Sequence, residues 1–300
     1  MDDTVYENYK HAGKIAADAR NFGVTLLKPG ARFLDIAIAI ENKIKENGAR
    51  LAFPVNIARN TLAAHYSPRH DDQSILKKGD VVKLDVGAHI DGYIADTAIT
   101  VELETHVYNK MIQASSEALK KAIRALNIEI PLNEVGKIIE KTITAYGYKP
   151  INNLMGHGLD QYELHSGISI PNVEAFGGKA KLKDGDVIAI EPFATNGAGH
   201  VISGEGSNIY LCNKTLKAKF IRDNKTKLIL EKIMINYRTL PFSQRWCHNL
   251  IPNESDITLK KLSFLGLMKH YPQLVEAKGG MVTQKEHTVI IKEDGCEVIT

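Results

Sequence analysis

The stretch that decides the fold runs Asp80-Val-Val-Lys-Leu-Asp-Val-Gly-Ala-His-Ile90, then Asp91-Gly92, then Tyr93-Ile-Ala-Asp-Thr-Ala-Ile-Thr-Val101. β-Branched runs on both sides of an Asp-Gly pair predict a hairpin with a two-residue turn, because Asp and Gly tolerate the left-handed backbone that such a turn needs. With Asp91 and Gly92 in the turn, Ile90 faces Tyr93, Asp85 faces Ala98 and Gly87 faces Asp96. Side chains alternate along a strand, so Asp85 and Asp96 share one face as diagonal neighbours. Around them Val81, Val82, Leu84, Val86, Ile94, Ala95 and Ala98 are apolar. Two like charges on a buried sheet face are costly unless a cation or partner compensates them. The pair therefore reads as metal-binding, with a capping or salt-bridged pair at a sheet edge as the alternative.

Outward from the hairpin, Leu76-Lys-Lys-Gly-Asp-Val-Val-Lys-Leu-Asp85 matches Leu182-Lys-Asp-Gly-Asp-Val-Ile-Ala-Ile-Glu191 without a gap. A polar turn, Gly-Asp and an apolar strand is a common strand entry, but each copy also follows a pair of helical segments. Upstream of the first, residues 6–26 are Ala- and Lys-rich and stop at Lys28-Pro29-Gly30; Leu34, Ala37, Ile38 and Ile44 then mark a helix ended by Gly48. Upstream of the second, a helix is expected over 107–127, and Leu132, Val135, Gly136, Ile139, Ile143 and Tyr146 mark another, closed by Gly147. Strands are expected at 151–157 and 186–191. A duplicated half packed about a pseudo-twofold axis would set Asp85 and Glu191 on equivalent strands facing one centre. Residues 208–271 break the pattern with Lys-rich helical stretches and the single Trp246, and read as a helical insertion. Strand character returns at Glu286-His-Thr-Val-Ile-Ile291.

Composition bounds the class. The chain has 300 residues, 44% hydrophobic and 24% charged, values that exclude disorder, collagen and coiled coil. Lys and Arg number 38 against 35 Asp and Glu, and a net charge of +3 argues against a dedicated nucleic-acid or membrane-surface binder while leaving room for a local basic patch. Cys212, Cys247 and Cys296 are scattered and form no CxxC, so neither a disulfide framework nor a thiolate zinc site is expected. Met1-Asp2-Asp3-Thr4 lacks a basic-then-apolar signal pattern, and no apolar run comes near the length that spans a bilayer. The expectation is a cytoplasmic chain without a membrane contact.

Histidine adds a second layer. His157 sits between Gly156 and Gly158, where backbone can approach closely, and His165 follows in Glu163-Leu-His-Ser-Gly167. His65 lies in Ala63-Ala-His-Tyr-Ser-Pro68. A lone histidine is commonly a satisfied core or surface residue; beside a carboxylate set these become candidate ligands or acid–base groups. Asp, Glu and His donors without thiolate suit Mn, Fe, Co or Zn.

Asp85, Asp96, His157, Glu191 and Glu286, in the contexts LDVGAHIDGYIADTA, MGHGLDQYELHSG, IAIEPFATNGAG and TQKEHTVI, resemble the methionine aminopeptidases of pita-bread (creatinase/aminopeptidase) fold. The resemblance covers nearly the whole chain. It implies an α+β fold of pseudo-twofold duplicated halves around an antiparallel sheet, with a catalytic domain at 1–207 and 272–300 and an insertion subdomain at 208–271. The insertion between Glu191 and Glu286 and the AAHYSP segment resemble the type II enzymes, and the lack of a charged N-terminal extension suggests the archaeal type.

What the resemblance implies for chemistry is removal of the initiator methionine from nascent polypeptides by two divalent metal ions (Co, Mn, Fe or Zn) that generate hydroxide from a shared water. The metal ligands would be Asp85, Asp96 (bridging), His157, Glu191 and Glu286 (bridging), with Glu191 also accepting the water proton. His165 would stabilise the oxyanion near the scissile nitrogen, and His65 would line the methionine pocket. Phe53, Leu164, Phe193 and Tyr271 match its apolar wall, with ordinary core packing as their alternative reading. A monomer is expected, with no specific nucleic acid. Lys214, Lys217, Lys219, Lys225 and Lys227 offer either a transient ribosome contact or simply a solvated face. Two rival functions are a Xaa-Pro peptidase of the same fold, which usually carries a separate N-terminal domain, and a non-catalytic RNA- or ribosome-binding relative, which would have lost metal ligands.

Overall fold

The computed structural model describes residues 1–174, 180–213, 221, 223–252 and 254–300. Its first half is α1 (Asp3–Leu26), α2 (Phe33–Glu46), β1 (Arg50–Leu51), β2 (Asn56–Arg59), β3 (Leu62–Ala64), β4 (Val81–Ile90) and β5 (Tyr93–Glu102). The helix expected from residue 6 begins three residues earlier because the Asp2 carboxylate caps it, accepting the Val5 N–H at 2.9 Å. β4 and β5 form the expected hairpin in the expected register, Asp85 opposite Ala98 and Gly87 opposite Asp96. Asp91 and Gly92 both take positive φ, 48° and 91°, as the two-residue turn requires.

The second half repeats this order with α3 (Asn109–Ala125), α4 (Leu132–Ala145), β6 (Lys149–Pro150), β7 (Met155–Gly158), β8 (Ser169–Pro171), β9 (Val187–Ile190) and β10 (Phe193–Thr195). The ten-residue match is a structural repeat down to its turn. Asp80 Oδ2 accepts the Lys77 N–H at 2.8 Å and Asp186 Oδ2 accepts the Lys183 N–H at 2.7 Å, with Gly79 and Gly185 at φ 82° and 84°. Leu76 and Leu182, which open the two copies, are both buried. Each helix pair packs on its own sheet. Ile15, Ala19, Ile36, Ile40 and Ile44 cover Leu84 and Val86; Ala118, Leu119, Val135 and Ile139 cover Ile188, Ile190 and Val289.

The remaining elements are β11 (Val201–Cys212), α5 (Asn224–Tyr237), β12 (Phe242–Ser243), α6 (Gln244–Leu250), α7 (Ser255–Phe264), β13 (Met268–Glu276), β14 (Val282–Gln284), β15 (His287–Lys292) and β16 (Gly295–Val298). β11 and β13 pair antiparallel from Val201–Glu276 to Cys212–Met268. Residues 208 and 271, taken as the edges of the insertion, thus lie inside two long paired strands, and α5 to α7 sit beyond their far end. These helices have a core of their own, including Ile229, Leu230, Ile233, Phe242, Leu259 and Leu262. A buried polar knot ties this part to the body: Arg245 Nη2 pairs with Glu41 Oε1, Arg245 Nη1 donates to Ser67 Oγ at 2.7 Å, and Trp246 Nε1 donates to Glu41 Oε2 at 2.9 Å.

Sheet order brings the two halves together. β15 pairs with β9 in a sheet ordered β16-β15-β9-β7-β8, and β14 pairs with β10. Where β14 and β15 pass β5, threonine hydroxyls supply most of the cross-links. Thr288 Oγ1 donates to the Asp96 carbonyl at 2.8 Å and accepts the Asp96 N–H at 2.7 Å. Thr97 Oγ1 donates to the Glu286 carbonyl at 3.0 Å, and Thr100 Oγ1 to that of Gln284 at 2.7 Å. This seam fixes Asp96 and Glu286 beside each other although they lie in opposite halves of the chain.

Candidate metal centre

A cavity of about 490 Å³ opens over the seam and is lined by all eleven residues singled out in the sequence: Asp85, Asp96, His157, Glu191, Glu286, His65, His165, Phe53, Leu164, Phe193 and Tyr271. Ligand-type atoms of Asp96, His157 and Glu286 lie within 4.8 Å of one another, and all three residues are buried. His157 Nε2 is 3.6 Å from Asp96 Oδ2. Asp85 and Glu191 are partly exposed into the same cavity. The glycines around His157 are needed for approach. A Cβ on Gly156 would stand 2.4 Å from the Ala189 carbonyl oxygen, and one on Gly158 would stand 2.5 Å from Ser166 Oγ.

The electrostatics follow from enclosing four carboxylates together. Burial pushes Asp85 up to about 7, with a hydrogen bond shared with Asp96 working the other way. Asp96 is raised well above the usual carboxylate range, first by burial and then by the charges of Asp85 and Glu191. Burial and then Asp85 raise Glu191; burial and then Asp96, Glu191 and Asp85 raise Glu286. Burial lowers His157 to about 3 and His65 to about 4, with the neighbouring His165 adding to both. Asp85 Oδ1 and Asp96 Oδ1 are buried with no hydrogen-bond partner in the protein. Neutral imidazole, crowded carboxylates and orphaned oxygens together form a donor set that suits divalent cations.

Above this floor the His157 and His165 rings lie 4.4 Å apart between centroids, and His165 is exposed at the mouth. Its charged form is disfavoured by the atoms around it and by Lys269. His65 sits in the left-handed region at φ 63°, a strained backbone for a side-chain-bearing residue, with the Tyr271 ring edge-on at 5.3 Å. Phe53 and Phe193 are buried walls; Leu164 and Tyr271 are half-buried.

Several residues escaped the sequence reading. Gln284 Nε2 donates to Glu191 Oε2 at 3.1 Å and to Glu286 Oε2 at 3.3 Å. Gln284 opposes Phe193 as Asp96 opposes Gly87, so it occupies the Asp96 position of the second half. The repeat, carried through to the partner strands, was a signal that could have found it. Pro241, Ile209 and Leu274 add apolar wall from the insertion and the strands that carry it.

Comparison with known proteins defines the class first. The model of metallopeptidase family M24 matches residues 7–229, and the chain belongs to this family, among its archaeal methionine aminopeptidases. It is 46% identical over 301 aligned residues to the methionine aminopeptidase of Methanocaldococcus jannaschii, covering 100% of both chains. It is 44% identical to that of Archaeoglobus fulgidus, again over 100% of both. The crystal structure of the Thermotoga maritima methionine aminopeptidase superposes with a TM-score of 0.73 at 23% identity, covering 100% of this chain and 98% of that one, a likeness of fold. The protein is a metal-dependent aminopeptidase of pita-bread fold. Among the described residues no helix is long and apolar enough to cross a membrane.

Proposed function

We propose that the chain hydrolyses the initiator methionine from nascent polypeptides, with Asp85, Asp96, His157, Glu191 and Glu286 holding two divalent metal ions on the cavity floor. One observation carries this reading: four carboxylates converge on the floor of a cavity walled by apolar side chains, with the Arg20 charge acting on Glu286 too little to balance them. Two divalent ions balance four carboxylates, and the orphaned oxygens of Asp85 and Asp96 are free to coordinate them. The donor set accepts Mn, Fe, Co or Zn. Full-length likeness to archaeal methionine aminopeptidases supports the substrate.

Divalent ions held by these residues would supply Lewis-acid polarisation of a carbonyl oxygen and a water of near-neutral pKa. Glu191, raised by burial and partly exposed into the cavity, takes the proton of the attacking water. His165 at the mouth donates a hydrogen bond to the developing oxyanion and lies near the scissile nitrogen. His65 lines the methionine pocket, oriented by its edge contact with Tyr271. Phe53, Leu164, Phe193 and Tyr271 enclose the thioether side chain and exclude water from it. Residues 208–271 act as a subdomain that lends Pro241 and Tyr271 to this wall.

In the same reading the chain works as a cytoplasmic monomer that touches the ribosome transiently. Lys227 is exposed on α5, while Lys225 pairs with Glu254 at 2.7 Å. Lys214, Lys217 and Lys219 lie outside the described residues.

The test is release of methionine from a Met-Ala-Ser peptide, with a Xaa-Pro peptide in parallel. Asp85→Asn should lose the metal-dependent release with an unchanged far-UV circular dichroism spectrum; full activity in that variant overturns the metal assignment. His165→Ala should lower kcat by about a hundredfold, the scale of one oxyanion donor. Faster turnover of the Xaa-Pro peptide would move the substrate to the sister class.

A further inference from the structure

Behind the catalytic cavity lies a second one of about 400 Å³, between the β4–β5 turn, the end of α2 and helices α5 and α6. Its charge is one-sided. Lys45, Arg50 and Arg238 line it, and no carboxylate does. None of these three cations forms an ion pair among the described residues. His89 adds a fourth donor. The Gly92 N–H donates to His89 Nδ1 at 3.0 Å, so the neutral ring carries its own hydrogen on Nε2. Burial, then the nearby Arg50 charge, keep that ring neutral, with Arg238 adding to them; the Asp91 carboxylate opposes them without lining the cavity.

The rim is built at a cost. The Arg238 guanidinium lies 4.2 Å from the centre of the Tyr162 ring, and both residues hold positive φ, 51° and 56°. Such backbone is unfavourable for a side-chain-bearing residue, and it persists where its surroundings hold it. Gly92 is part of that hold. A Cβ there would stand 2.3 Å from the Tyr162 ring, and the Gly92 carbonyl accepts the Tyr162 N–H at 2.8 Å. Two strained residues are thus locked in a stack that aims a guanidinium across a cavity already holding two other unpaired cations.

We propose that this cavity binds a phosphate ester carrying a flat ring, that is, a nucleotide, either free or as part of an RNA strand. Two guanidinium forks, an ammonium and an imidazole N–H match the many acceptors of a phosphate better than the two oxygens of a carboxylate. The volume exceeds what a lone phosphate fills, and Trp246, which lines the cavity, offers a face for a ring. The site adjoins the catalytic cavity along the chain. Arg238 leads to Pro241, which lines both cavities, and Tyr162 leads to Leu164 and His165. Nothing in this proposal depends on which peptide is cleaved.

The test titrates AMP, and separately a short single-stranded RNA, into the metal-loaded protein and into its Arg50→Ser/Arg238→Ser variant by isothermal calorimetry. Binding by the parent should weaken with added salt and drop at least about tenfold in the variant, the scale of losing charge-assisted hydrogen bonds. AMP binding names the free nucleotide as ligand; RNA binding without AMP binding names the strand. No binding of either overturns the proposal, as does equal binding by parent and variant, which places the phosphate on the metal centre. Should the double variant lose its fold by circular dichroism, Lys45→Ser on the exposed end of α2 decides by the same comparison.

Discussion

Removing metal should reverse the pH dependence of stability. The carboxyl groups of Asp96, Glu191 and Glu286 are raised well above their ordinary values, so without metal the folded state keeps protons that the unfolded chain has released. More protons on the folded state means stability falls as pH rises. Each retained proton contributes about 1.4 kcal/mol per pH unit. From about pH 6.5 to about pH 8 one such group therefore costs about 2 kcal/mol, or about 4 °C in Tm for a chain of this size, and more if several hold protons. Below that window two histidines act with the opposite sign. His157 at about 3 and His65 at about 4 stay neutral when the unfolded chain takes up protons near about 6.5, so they offset part of the carboxyl term there. Metal-free protein should thus lose stability most steeply above about pH 6.5, where the carboxyl groups act without that opposition. Metal-loaded protein should instead gain stability up to about pH 8, because ligands must lose protons to bind. Differential scanning calorimetry with and without chelator reads both curves. A metal-free Tm that holds level or rises across the upper window would refute the crowding of carboxyl groups, and so would a slope that metal leaves unchanged.

Two further expectations follow from buried contacts. Arg245→Ala should destabilise the protein by about 3–5 kcal/mol in urea, because it strands the Glu41 carboxylate, while Arg245→Met with Glu41→Leu should cost far less. Thr288→Val removes the hydroxyl that both donates to and accepts from the Asp96 backbone, costing about 1–3 kcal/mol. It should weaken metal uptake about tenfold by titration, with Thr288→Ser restoring it; uptake unchanged in the valine variant would show that the seam does not place Asp96.

The hairpin could be read from sequence because its information is local. The Asp91-Gly92 turn sets the register, and period-two alternation then puts Asp85 and Asp96 on one face. The duplication was legible for a similar reason, since each copy carries its own turn, Gly79-Asp80 or Gly185-Asp186. The threonine seam was not legible. Thr97, Thr100 and Thr288 fit any β-strand by propensity, and only the long-range packing of β5 against β14 and β15 shows that their hydroxyls link strands. The place of Lys83 was not legible either. It is fully buried between Val82 and Leu84, its ammonium donating to the Asn60 carbonyl at 2.8 Å, an acceptor that no pattern of apolar residues announces.

The two halves repeat their backbone but not their ligands, and Pro192 accounts for the difference. β4 runs unbroken through Asp85, whereas β9 stops at Ile190, since a proline two residues on offers no N–H to continue the ladder. Pairing resumes with Phe193 opposite Gln284, and Glu191 and Glu286 fall in the gap. Glutamate has a longer side chain than aspartate, which suits a ligand that starts from a break rather than from within a strand. At the Asp96 position of this half the chain carries Gln284, whose amide donates to both glutamates. A carboxylate there would be a fifth negative charge in a site where burial already strains the ionisation of four. An amide instead holds one oxygen of each glutamate in place, leaving the others to face the floor. The broken strand and the amide thus convert a symmetric duplication into an asymmetric ligand set whose charge two divalent ions can match.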